Sequence, residues 1–121
     1  MERVFLIIGA FSAFIAVVAG AFGAHGLKEH LTPDMLAVFE TGVRYQMYHA
    51  LALIGVSFAS AYWPGKLITC SGWLFVVGSL FFSGSIYLLC LTGTKWLGPI
   101  TPIGGVMLLA GWLFLAIGAL K

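Results

Sequence analysis

Hydrophobic and polar positions alternate along this chain in long blocks. An uncharged run covers residues 4–24, a second covers about 45–62, a third 67–91 and a fourth about 102–120. A helix needs roughly 20 apolar residues to cross the hydrocarbon core of a bilayer, and each run is close to that length. The runs are apolar on every face, so transmembrane strands, which alternate, do not fit. Backbone groups in lipid must be satisfied within their own segment, which leaves helices. The pattern predicts an all-α membrane protein, a single domain over residues 1–121 with four transmembrane helices in an up-down-up-down bundle.

The connections agree with this. Trp63-Pro64-Gly65-Lys66 and Thr92-Gly93-Thr94-Lys95-Trp96 are short, glycine-bearing turns, and Tyr62, Trp63 and Trp96 stand where amphipathic rings favour the headgroup level. Thr101 with Pro102 forms a helix start, and Thr32-Pro33-Asp34 repeats it after the only long connection. From there Met35, Leu36, Phe39 and Val43 share one helical face, while Asp34, Glu40 and Thr41 lie elsewhere. Residues 33–43 therefore read as a short amphipathic helix before the second span, either lying in the interface or leading into that span, with Gly42 as a bend. The first run is longer than the roughly 7–15 residues of a signal-peptide core, so it reads as a retained span.

Composition narrows the class. Of 121 residues, 61% are hydrophobic and only 8% charged, too few charges to cover a water-facing surface, where about 25% is usual. A net charge of +2 with no basic run excludes a nucleic-acid partner and points to membrane lipids. Cys70 and Cys90 lie on one predicted helix roughly 30 Å apart, too far for a disulfide. Counting positive charges by side sets Arg3, Lys66 and Lys121 against Lys28, Arg44 and Lys95. This is a tie, unless Arg44 lies inside the membrane boundary and tips the count towards cytoplasmic termini.

Two sets of residues stand out. Ser12, Ala16, Gly20 and Ala24 recur every four residues in the first span, and Gly104, Gly111 and Gly118 every seven in the fourth. Small residues so placed let helix backbones approach closely in lipid, within the bundle or between copies. The second set is polar. Glu40 and Arg44 are spaced to pair along a helix face, and Tyr45, Gln46 and His49 follow them. Ionisable groups at membrane depth face the bundle interior or a wet cavity. No nucleophile sits in an elbow motif, and His25, Glu29 and His30 follow no ligand spacing, so neither catalysis nor a metal or other cofactor is expected.

Four stretches carry a resemblance: Gly20-Ala21-Phe22-Gly23-Ala24-His25-Gly26, Tyr45-Gln46-Met47-Tyr48-His49, Phe82-Ser83-Gly84-Ser85-Ile86-Tyr87, and Thr101-Pro102-Ile103-Gly104-Gly105 with Ala110-Gly111-Trp112. In order and spacing they resemble the YgdD/YwdK-type family of small bacterial inner-membrane proteins, a family without an assigned activity. The resemblance implies four spans in the plasma membrane with both termini cytoplasmic, and it supplies no reaction, substrate or cofactor. It also suggests that His25, Arg44, Tyr45, Gln46, His49, Ser83, Ser85 and Thr101 converge on one polar pocket near the outer face. The expected function is a non-catalytic module that packs as a homo-oligomer or accessory subunit, or binds lipid or a small ligand. The alternative is a transporter or channel subunit whose polar pocket lies between the second and third spans.

Overall fold

The computed structural model describes residues 2–121, and among them only helices and turns occur. Helix α1 is Glu2–His25 and α2 is Pro33–Tyr62; α3 is Lys66–Ser79, continued through a π-helical turn at Leu80–Gly84 into α4, Ser85–Thr92. A 3-10 turn at Lys95–Leu97 precedes α5, Ile100–Leu120. Thr32 caps α2 by accepting from the Met35 N–H at 3.2 Å, with Pro33 in the first turn where its missing N–H is harmless. Gly93, at φ 71, ends α4 in the left-handed conformation that favours glycine, its N–H reaching Leu89 O at 2.8 Å.

Successive long helices run antiparallel. Gly9 of α1 faces Ala50 and Leu53 of α2, while Gly23 faces Phe39. Gly42 of α2 faces Ile86 of α4, and Gly104, Gly111 and Gly118 of α5 face Gly78, Phe75 and Ile68 in turn. One apolar core gathers Phe5, Leu53, Val56, Ile68, Phe75 and Leu108 from all four long helices. A second, smaller one joins Leu27, Phe39, Ile86 and Cys90 near the opposite end.

Three helical stretches are long and apolar enough to cross a membrane: Glu2–His25, Lys66–Thr92 and Lys95–Leu120. Large apolar side chains on their outer faces, Phe11, Phe14, Leu80 and Leu109 among them, stand exposed. Helix α2 falls outside that group although it is the longest, because Glu40, Arg44, Gln46 and His49 dilute its apolar character.

Three local expectations are corrected. The amphipathic stretch 33–43 is not a separate interfacial helix; it leads directly on as the opening of α2, which runs unbroken through Gly42. Gly42 serves close approach rather than bending, since a Cβ there would stand 2.9 Å from Ile86 Cγ2. Thr101 does not cap α5, which begins at Ile100; its hydroxyl is engaged elsewhere.

The small residues of α1 also sort differently from the four-residue stripe. Four residues turn a helix by about 40° beyond a full revolution, so such a stripe winds off any one face within three steps. Ala16 is buried and Ser12 and Gly20 half-buried, while Ala24 is exposed. The residues actually buried against α2 include Gly9, Ala16 and Gly23, seven apart. A seven-residue step drifts only about 20°, the same spacing that holds Gly104, Gly111 and Gly118 of α5 against α3.

Candidate functional site

The long α2 decides where the polar residues sit. Because it starts at Pro33, Gln46 and His49 lie near its midpoint, not near its beginning, and both side chains are buried. Gln46 is a strut between three helices. Its amide nitrogen donates to Ser12 O of α1 at 3.0 Å and approaches Ser12 Oγ at 3.4 Å. Its carbonyl oxygen accepts from the Tyr87 hydroxyl of α4 at 2.5 Å. Both ends of the amide are therefore answered, as a buried polar group requires.

His49 makes a similar link one helical turn further along α2, towards α5. Its Nδ1 lies 2.7 Å from Tyr45 O, and the Trp112 indole of α5 donates to its Nε2 at 3.0 Å. A carbonyl only accepts and an indole N–H only donates. The partners thus assign a neutral ring with its proton on Nδ1. Phe75 and Trp112 enclose the imidazole, with ring centroids 5.5 and 5.8 Å from it.

Two serines around the π-helical turn are also buried and tie helices together. Ser83 donates to Gly42 O at 2.7 Å, which ties the turn to α2. Ser85 bonds Phe82 O at 3.0 Å and shares a 2.6 Å hydrogen bond with Thr101, which ties α4 to α5. π-helical turns inside α-helices frequently mark functional positions.

Beside the strut lies a groove of about 450 Å³, in the range of small-molecule sites. Helix α1 forms one wall through Ile7, Phe11 and Ile15; Val76, Leu80 and Gly84 form the other. Gln46 and Leu53 of α2 make the floor, so the opening faces away from the bundle. Phe5 of α1 packs edge-on to Trp73 of α3, with ring centroids 5.3 Å apart. The polar atoms in the lining come from Ser12, Gln46, Ser79, Ser83 and Tyr87.

The expected pocket residues are thus distributed over several places. Gln46 and Ser83 reach the groove; His49 lies one helical turn from Gln46, turned towards α5, and Ser85 with Thr101 sits at the α4–α5 contact. Tyr45 is exposed beside His49, at 6.2 Å between ring centroids. His25 is exposed at the end of α1, and Arg44 is exposed with its guanidinium 3.3 Å from Thr41 Oγ1. Glu40 and Arg44 do not pair, and no ion pair occurs among the described residues. The residues that sequence reasoning passed over are Tyr87 and Trp112, the partners of Gln46 and His49. Both stand in the stretches that carried the family resemblance, next to the serines and glycines singled out there.

The helices and their outward apolar faces define a helical membrane protein whose interior holds a few polar contacts between helices. Comparison with known proteins gives the particular family. A family model described as "Protein of unknown function (DUF423)" matches residues 19–105. A UPF0382 membrane protein of Staphylococcus saprophyticus is 47% identical over 119 residues, covering 98% of each chain. The UPF0382 membrane protein YwdK of Bacillus subtilis is 45% identical over 120 residues, again 98% of each. A UPF0382 membrane protein of Staphylococcus epidermidis is 46% identical over 119 residues. The chain belongs to this DUF423/UPF0382 family of membrane proteins, the family that its motifs resemble. No solved structure matches it significantly.

Proposed function

We propose that all four long helices cross the membrane, and that the protein is a non-catalytic module which holds a lipid-phase molecule in the groove between α1 and the α3–α4 helix. The observation that carries this reading is the groove itself, a small-molecule-sized recess with apolar walls, open away from the bundle. Helix α2 qualifies as a span on its surroundings. Its 30 residues reach about 45 Å, and Ser12, Tyr87 and Trp112 answer its buried Gln46 and His49, so neither meets lipid unpaired. The engagement of these groups with one another also speaks for a structural role over chemistry.

Orientation follows from charge. Arg44 sits beside Val43, which faces Gly20 of α1, inside the apolar length of that helix, so it drops out of the loop count. Arg3, Lys66 and Lys121 on one side then outnumber Lys28 and Lys95 on the other, which favours termini on the cytoplasmic side of a bacterial plasma membrane.

The test is native mass spectrometry of the protein released from lipid nanodiscs, paired with a Gly84→Phe variant. Position 84 is open, with nothing within 4 Å of a Cβ, and it lines the groove. The expected outcome is a stoichiometric lipid-phase molecule on the wild type and its loss from a still-folded Gly84→Phe. Equal retention by both would overturn the groove as the binding site. Membrane-impermeant thiol labelling of Lys28→Cys and Lys66→Cys, in a background with Cys70 and Cys90 replaced by Ala, should modify only the former from outside the cell.

A further inference from the structure

Two hydroxyl groups in the groove are left with a proton to give. Thr41 and Thr92 turn back on their own helices and donate to carbonyls four residues earlier, at 3.0 and 2.5 Å. Ser71 does the same three residues back at 2.6 Å, and Ser83 donates across to Gly42 O. Ser12 and Ser79 do neither. Ser12 Oγ receives the Gln46 amide but donates to no acceptor among the described residues, and the Ser79 hydroxyl has no partner among them. Both groups line the same groove from opposite walls.

Their depth narrows what can answer them. On the membrane placement proposed above, Ser12 lies near the middle of Glu2–His25 and Ser79 near the middle of Lys66–Thr92. The oxygens of a phospholipid lie at the interface, so its acyl chain would fill the groove and leave both donors dry. An unanswered hydroxyl in an apolar setting is costly. Charge is disfavoured too, because no Lys, Arg, Asp or Glu lines the recess. What fits is an acceptor without charge, carried inside an apolar body.

We propose that the groove receives an uncharged lipid-phase molecule with a carbonyl oxygen of the ketone or quinone type within its apolar body, and that Ser12 and Ser79 donate to that oxygen from the two walls. This rests on the groove being a ligand site, as proposed above. The geometry does not distinguish a chain ketone from a quinone ring; the shared feature is the oxygen at mid-depth.

The experiment titrates the full-length protein in nanodiscs with three probes, read by native mass spectrometry: methyl stearate, methyl 12-oxostearate and a short-chain isoprenoid quinone. The wild type should bind at least one carbonyl probe more tightly than methyl stearate, by about 2- to 10-fold for each hydrogen bond gained. Which carbonyl probe wins assigns the source. A Ser12→Ala/Ser79→Ala variant should lose that preference while binding methyl stearate as before. Equal binding of all three probes by the wild type would overturn the carbonyl assignment and leave the groove standing. So would a preference that survives in the double variant. Binding of none of them would overturn the groove as well. Ser12→Thr/Ser79→Thr, which restores both hydroxyls, should restore the preference.

Discussion

The outer helices α1 and α5 solve the same packing problem with unequal results. Each sets three small residues seven apart against its neighbour: Gly9, Ala16 and Gly23 on α2, and Gly104, Gly111 and Gly118 on α3. The α5 seam is closed on both sides. At its N-terminal end Gly104 meets Gly78, where a Cβ would stand 2.8 Å from the Gly78 carbonyl oxygen, and Trp112 reaches past α3 to His49 of α2. The α1 seam is closed only towards α2. Its far side touches the α3–α4 helix near Phe5 and otherwise borders the groove. Identical spacing thus produces a locked helix in one place and a helix with room beside it in the other. The difference arises from what flanks the glycines, since association in lipid depends on close packing all around a helix.

The sharpest way to break this comparison is to add bulk to both seams. Gly104→Leu should abolish or severely weaken folding, by roughly 3 kcal/mol or more, because it drives a side chain into backbone on the facing helix. Gly9→Leu meets Ala50 O at a similar 2.8 Å, but α1 can yield into the groove, so a loss of roughly 1–2 kcal/mol is expected. Unfolding of the purified protein by SDS titration, followed by circular dichroism, measures both; equal losses would erase the distinction between the seams. Gln46→Leu should cost about 1–2 kcal/mol in the same assay, since it strands the Tyr87 hydroxyl and frees α1 from α4. His49→Phe should cost less, about 0.6 kcal/mol, because Trp112 is 45% exposed and its indole is only partly desolvated. A larger loss for His49→Phe than for Gln46→Leu would mean that the α5 side, not the strut, carries the polar stabilisation. Gly55→Ala sharpens the scale at its low end. No atom lies within 4 Å of that position, so its stability should match wild type or slightly exceed it.

Much of this architecture is legible in the residue pattern, and the exceptions have physical causes. The apolar blocks of α1, of α3 with α4, and of α5 are continuous, and length alone finds them. Helix α2 is harder, because Glu40 and Arg44 resemble a boundary; in the fold both simply stand on its exposed face while the helix continues beneath them. That misplacement shifted Gln46 and His49 from the middle of a helix to its beginning, and with them the depth of the expected pocket. His25 was drawn into the same pocket by its neighbours in sequence, yet α1 ends there and leaves it exposed. The π-helical turn has no legible signature: Leu80–Gly84 is as apolar and small as the turns around it. The pairings of Gln46 with Tyr87 and of His49 with Trp112 span 41 and 63 residues of sequence. No local spacing can announce contacts between separate helices; only the choice of residue types hinted that partners must exist.

The position of His49 has a consequence for how the chain is made. During synthesis α2 follows α1, and the Gln46 amide finds Ser12 O on a helix that is already waiting. The imidazole must wait much longer, because Trp112 emerges only after the rest of the bundle. Until then its Nε2 has no donor, and α2 stays short of its contact with the last helix. Arrival of the indole closes that contact, so the last helix to be made is also the one that satisfies the imidazole.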